Sequence, residues 1–524
     1  MIRTVAVLGA LLSLGAAQVP RTQETVEVSI TNVDVIVTDR EGRHVRGLTR
    51  EDFELLADGK RQPITHFTEY SAIDRANEQS EPQREPRSLL LFIEPTKLPR
   101  FRVEPFIASL KELVRKTVGN GDRAAVIAFA GRAEIRVVPT SDLAAVDRAL
   151  DALGEEFLGV AHNTTGAVAD QMRSLREFER TGEEMAAEAK IDRPNASGRS
   201  LAASAARLPA IQAELEMKRR VSAINAAVHA LSGVEGRKIL ILATHRLGQM
   251  IGAEYFLATG TVGSEVADNR EAVRTIIANA NAVGVTVYPV FPAGLDQTPG
   301  DPNAPDLSQP ILMNEMGSLT EIAKQTGGLT AYGTTDIAKL MLRVADDVAN
   351  YYSLAYRPAG NAAREIVVKV NDPDLQVRTR RWFLQRTDKA RMRDRLLATL
   401  YRAWSESPVR VTATLGEPKA SGKKKTVPMK VSIPIRALTL LPQEGKHSGA
   451  FTVYLMTGGD FGEVSAVREE TRQVDIPEAK LAAFQAGDLT YEVELVYDRE
   501  AERVAIAVLD AVSGDYGLVA LPLR

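Results

Sequence analysis

The chain has 524 residues with no cysteine, and its 65 lysines and arginines nearly balance 68 aspartates and glutamates. Without cysteine there are no disulfides, no thiolate metal site, no cysteine nucleophile and no lipidation at cysteine. A net charge of −3 excludes a general nucleic-acid binder, which would be basic, and the length suits several domains.

Residues 1–17 read as a signal peptide: Arg3 gives a positive start, Val5 to Leu14 an apolar core, and Gly15-Ala16-Ala17 a small-residue cleavage site. That run is shorter than the roughly 20 residues of a membrane helix. Export to the periplasm or the medium is expected, with no transmembrane span in the mature chain. A retained anchor and a buried N-terminal strand are the alternatives.

The segment 24–71 is a β unit. Val26, Val28 and Ile30, then Val33, Val35 and Val37, alternate with polar residues, with a change of phase at Thr31-Asn32. Asp58-Gly59 is a turn. Residues 72–87 are polar, proline-containing and linker-like.

From 88 to 350, strands alternate with helices. Leu89–Ile93 is continuously apolar, as in a strand covered on both faces. Phe106, Ile107, Leu110, Leu113 and Val114 keep helical spacing; strands follow at 125–130 and 134–138, and a helix carries Leu143, Val146 and Leu150. A helical insertion spans 163–231. In it, "DRPNASG" (192–198) separates a charged helix from one bearing Leu208, Ile211, Leu215, Val221, Ile224, Val228 and Leu231. "KILILAT" (238–244) is another buried strand. A helix over 267–282 ends at Gly284, a strand "VTVYPVF" follows, then a Pro- and Asp-rich loop (292–310), a helix ending at Gly327-Gly328, and a last helix over 335–350. This alternation predicts an α/β fold with a doubly wound, mostly parallel sheet.

Residues 351–385 return to short strands. Neither they nor 24–71 can bury a core alone, so the two are expected to pack into one sandwich. A connecting helix at 386–406 leads to a C-terminal β-sandwich domain at 407–524, with alternation in Phe451/Val453/Leu455, Tyr491/Val493/Leu495 and Val504/Ile506/Val508. "GKKK" (422–425) reads as a solvated turn.

Taken in order, "VIVTDREGRHVRGLTREDFELLADGKRQPITHF" (35–67), "LLLFIEP", "GDRAAVIAF" (121–129), "GRKILILAT" (236–244), "IAKQTGGLTAY" (322–332), "YYSLAYRP" and "REIVVKV" resemble bacterial exported proteins with a von Willebrand factor A-related (VWFA-related) domain. The resemblance covers about 26–385. It implies a VWFA fold used mainly for protein binding. In the wider superfamily the sheet tip often carries a metal-ion-dependent adhesion site: Asp-x-Ser-x-Ser after the first strand, a Thr from a middle loop, and an Asp after the fourth strand.

Against that pattern Glu94 replaces the first Asp, Thr96 the first Ser and Leu98 the second, while His245 in "LATHR" replaces the later Asp. Pro95 stiffens the turn, and Thr164 and Thr165 are the candidates for the middle-loop hydroxyl that the resemblance implies. Mg²⁺ demands hard oxygen donors in octahedral geometry, and this set has lost several. The expectation is a degenerate site with no cofactor. A weakened Mg²⁺ or Ca²⁺ site, and a transition-metal site on Glu94 and His245, are the alternatives. Glu94, Thr96, Thr244 and His245 form the expected binding edge.

The six histidines show no metal-ligand spacing, and no nucleophile elbow, P-loop or dinucleotide fingerprint occurs. The expectation is therefore a non-catalytic binding protein with an unidentified protein partner. Two other readings stand beside it: a hydrolase using Glu94 and His245 as acid and base, and an envelope assembly or scaffold protein reaching partners through the 163–231 arm and the 292–310 loop.

Overall fold

The structure is a computed structural model and describes residues 31–71, 86–95, 100–119, 121–159, 194–234, 236–244, 247–258, 266–292, 308–329, 336–358, 363–383, 388–401, 407–443, 445–459 and 464–523. The signal-like segment, the 72–85 part of the linker and the first helix of the insertion lie outside them.

The chain opens with strands β1 (Thr31–Thr38), β2 (Phe53–Ala57), β3 (Lys60–Gln62) and β4 (His66–Tyr70). The central part then runs β5 (Arg87–Ile93), α1 (Arg100–Thr117), β6 (Arg123–Phe129), β7 (Ala133–Thr140), α2 (143–159), α3 (Pro194–Ala230) and β8 (Arg237–Ala243). It continues through β9 (Met250–Ile251), α4 (Ala253–Ala258), β10 (Ala267–Asp268), α5 (Arg270–Val283), β11 (Val285–Val290), α6 (Ser308–Thr326) and α7 (Ile337–Ala349). After it come β12 (Tyr351–Tyr356), β13 (Arg364–Val370), β14 (Gln376–Thr379), β15 (Trp382–Phe383) and α8 (Asp388–Leu400). The C-terminal strands are β16 (Thr412–Leu415), β17 (Lys419–Ser421), β18 (Lys424–Pro434), β19 (Leu441–Gln443), β20 (Lys446–Gly458), β21 (Arg468–Pro477), β22 (Asp488–Asp498), β23 (Arg503–Asp510) and β24 (Tyr516–Pro522).

The central sheet has the order β11-β8-β5-β6-β7. Its first four strands are parallel, and β7 returns antiparallel to β6. All seven residues of β5 are buried, because successive side chains go to opposite faces and both faces are covered. Leu89, Leu91 and Ile93 join α1, α2 and α7 in one core; Leu90 and Phe92 join α3, α5 and α6 in the other. The other sheets pair antiparallel among the described residues.

Four-stranded sheets β14-β1-β12-β4 and β15-β13-β2-β3 face each other across Val33, Val35, Val37, Phe53, Leu55 and Leu354. The N-terminal strands and those after α7 thus share one sandwich, with the α/β part inserted between them. A buried ionic seam joins the two. Asp347 of α7 receives two 2.7 Å bonds from Arg378 and lies 3.0 Å from His44 Nε2. Arg237 and Arg87 each donate to the Val348 carbonyl at 2.9 Å, where cations suit the carboxyl end of α7. Arg87 also pairs with buried Asp122 at 3.1 Å.

The C-terminal sandwich packs β16, β17, β18 and β22 against β19, β20, β21, β23 and β24, around Val431, Ile433, Phe451, Val453 and Ile506. α8 covers the outer face of β20 and β23 through Met392, Leu396, Leu397 and Leu400.

Several element boundaries differ from the sequence reading. Ala267 and Asp268 pair with β9, so the helix there starts only at Arg270; it ends, with Gly284 left-handed (φ 82°), after Val283. α6 begins at Ser308, inside the expected loop. α3 is already helical at Pro194. Of the apolar residues sharing its spacing, Ile224, Val228 and Leu231 are buried, whereas Leu208, Ile211 and Leu215 are more than half exposed. The two lysines Lys424 and Lys425 lie in β18 rather than in the turn.

Candidate functional site at the sheet tip

From β5 the chain moves outward through β6 and β7, then crosses back to place β8 on the other side of β5. The strand order therefore reverses between β5 and β8, and the crevice at their carboxyl ends is where open α/β sheets usually hold ligands. Glu94 and Thr244 are the first residues beyond these two strands. The Glu94 N–H donates to Ala243 O (2.9 Å) and the Thr244 N–H to Val290 O (3.2 Å), so the parallel ladder fixes both positions.

Neither side chain reaches solvent: Glu94 is 2% exposed and Thr244 0%. A third residue closes the crevice. Arg220, on α3 and 4% exposed, donates from Nε to both Glu94 oxygens (3.1 and 3.0 Å) and from Nη2 to Oε1 (2.6 Å). Thr244 Oγ1 donates to Oε2 at 2.6 Å. The guanidinium also lies 5.7 Å from the ring centroid of Phe129, the last residue of β6. A planar fork against a carboxylate is the strong form of ion pair, and removing either partner would strand a buried charge.

The metal implied by the VWFA resemblance does not fit this donor set. Mg²⁺ or Ca²⁺ would require the Glu94 oxygens as ligands, and both already accept hydrogen bonds from Arg220, whose cationic charge meets the carboxylate directly. Among the described residues no three His, Asp or Glu side chains are grouped to hold an ion. The same bonds deny Glu94 the role of general base, since its lone pairs face Arg220 and Thr244. They also correct the expectation that Glu94 and Thr244 form a contact edge: both are interior groups. Thr96, Thr164, Thr165 and His245 lie outside the described residues. Beside Arg220 a recess of about 30 Å³, walled by Glu216, Met217, Met250 and Asn314, has room for a water molecule. Small-molecule sites start at about 300 Å³.

Sequence reading missed Arg220. It stands 126 residues from Glu94 on a charged helix, and its only signal is a cation on the helical face that also carries Met217 and Ile224, both buried.

No family model matches the chain, and no curated protein matches it. Among solved structures, an aerotolerance-related membrane protein from Bacteroides fragilis NCTC 9343 is 13% identical, covering 50% of this chain and 98% of its own, with a TM-score of 0.24. BatB, a conserved hypothetical protein from Bacteroides thetaiotaomicron, is 14% identical over 50% of this chain and 98% of its own, with a TM-score of 0.23. CsgH of R. palustris is 14% identical over 21% of this chain and 91% of its own, with a TM-score of 0.13. No helix among the described residues is long and apolar enough to cross a membrane.

Proposed function

We propose that this chain is an exported, non-catalytic binding protein built on a VWFA-type α/β core, and that it meets a protein partner by surface contact without a divalent ion. The observation that carries the reading is the Arg220–Glu94–Thr244 closure at the switch point of the sheet. An ion-dependent adhesion site needs an open coordination position for a partner's carboxylate. Here an internal guanidinium meets the carboxylate that would lead such a site, and the recess that the described residues form beside it, about 30 Å³, is far smaller than a small-molecule site. The interrupted β sandwich and the C-terminal sandwich add surface on which contacts can be spread.

The test uses the full chain. Its melting temperature is measured in EDTA and then with millimolar Mg²⁺, Ca²⁺ and Zn²⁺, alongside co-purification from the native envelope fraction with and without chelator. The expected result is one melting temperature throughout and the same retained proteins in both buffers. A rise of several degrees with one ion, abolished by Glu94→Gln, or partners lost on chelation, overturns the metal-free reading. Retention of no specific protein in either buffer overturns the binding reading itself.

A further inference from the structure

We infer that the free edge of β22 in the C-terminal sandwich is a docking site for an extended segment of a partner protein, one that carries a basic residue, an apolar residue and a second basic residue at alternate positions. This goes beyond the reading above, since it concerns a different domain and stands whether or not the sheet tip binds an ion.

β22 runs 11 residues and pairs with β18 in an unbroken register from Asp488↔Pro434 to Asp498↔Lys424. Among the described residues no strand pairs with its other side. Glu494 lies opposite Pro428, which has no N–H to give, and its carbonyl accepts from Arg468 Nη1 at 3.0 Å. The backbone groups of Glu494 therefore face away from β18. By the two-residue period of a strand so do those of Thr490, Glu492 and Val496.

Soluble proteins usually blunt such an edge with proline, lysine, a bulge or a cover. Both edges of the central sheet show such devices. β7 has register shifts against β6 and carries Pro139 and Arg136, while β11 is covered where Thr326 Oγ1 accepts from the Val287 N–H. β22 has no proline, lysine or bulge within it, and the Arg468 side chain covers one outward carbonyl, that of Glu494. Its inward residues Tyr491, Leu495 and Tyr497 are buried in the sandwich core, which fixes the strand rigidly.

The outward row identifies the occupant. Val496 is 53% exposed and is flanked at i−2 and i+2 by the exposed carboxylates of Glu494 and Asp498. Glu492 is paired with Lys430 (2.7 Å) and Asp488 with Ser432 (2.6 Å), whereas Glu494 and Asp498 make no side-chain hydrogen bond or ion pair among the described residues. Directly opposed like charges destabilise strand pairs, so this row disfavours a second copy of β22 and favours lysine or arginine across from Glu494 and Asp498, with an apolar residue across from Val496. Main-chain bonds supply affinity and the side-chain row supplies choice, as in strand addition generally.

The probe is a blocked, fluorescently labelled peptide, TKTVTKT, titrated into the full chain by anisotropy at low salt, with TETVTET as its counterpart. The lysine peptide should bind about tenfold more tightly, a difference of about 1.4 kcal/mol, because its two lysines face Glu494 and Asp498 where the counterpart sets like charges, and it should slow hydrogen exchange in β22. Glu494→Lys should reverse the preference. Val496→Pro removes one outward N–H, leaves the β18 ladder whole and should abolish binding; Val496→Lys serves the same purpose if the proline variant does not fold. Absence of binding at millimolar peptide, equal binding of the two peptides, protection confined to another element, or binding unaffected by the Val496 variants overturns the assignment.

Discussion

Arg220 grips both carboxylate oxygens of Glu94 at 2.6 to 3.1 Å in the crevice between β5 and β8, with neither side chain more than 4% exposed. α3 delivers the cation from one face of the sheet and β5 delivers the anion from its tip. The pair therefore locks helix to sheet at the position where an α/β sheet is otherwise open, and Thr244 ties β8 into the same lock.

Breaking that lock from one side should be costly. Glu94→Gln or Arg220→Met leaves the partner buried without its counter-charge, and each is expected to destabilise the α/β core by about 3–5 kcal/mol. The double variant should recover a substantial part, because two apolar or neutral groups need no mutual charge. Denaturant titration of the four proteins measures this as a double-mutant cycle, and additive losses would mean that the pair is not coupled.

The seam between the inserted core and the N-terminal sandwich predicts an acid limb. Burial alone would push the Asp347 carboxyl up, but hydrogen bonds and charge from His44 and Arg378 hold it below its ordinary value of 3.8. As pH falls the unfolded chain takes up this proton first, so the stability contributed by Asp347 is complete above the ordinary value and is lost as pH drops through the lower folded value. Asp347→Asn should lower stability at neutral pH and flatten the decline below pH 3.8. Urea titrations at stepped pH read both effects, and an unchanged acid limb would contradict the assignment.

Two glycines should respond with opposite signs. A Cβ on Gly328 would stand 1.9 Å from the Val287 carbonyl oxygen at the edge of β11, so Gly328→Ala must displace backbone and should destabilise by about 1–3 kcal/mol. Gly154 lies within α2, where a Cβ would meet Ile107 Cγ1 at an ordinary 3.4 Å. Gly154→Ala should therefore stabilise by about 0.5–1 kcal/mol, through loss of backbone freedom in the unfolded chain. Thermal denaturation of both variants checks the pair; two losses of similar size would show that the close approach at Gly328 is not the cause.

Much of the local structure was legible because it depends on spacing along the chain. The unbroken apolar run at Leu89–Ile93 can be satisfied only by cover on two faces, and both faces of β5 are covered. Val33, Val35 and Val37 alternate because one side of β1 meets the core of a sandwich. Gly284 marks the end of α5 because a left-handed residue there costs glycine nothing. Equal spacing did not mean equal burial on α3, where Ile224 and Leu231 meet the sheet but Leu208 and Leu215 project beyond it. Spacing records a face, and what that face meets depends on where the helix lies relative to the sheet.

By itself the sequence determined which segments alternate, where turns fall, and that Glu94 follows β5 where the adhesion-site pattern has an aspartate. Only the tertiary structure decided what that carboxylate meets. Arg220 and Glu94 are neighbours because a helix lies across a sheet, and β22 is an edge because of the order in which strands pair. Both are contacts across long stretches of chain, and no local propensity records them, since a side chain's chemistry does not specify which distant group will be brought to meet it.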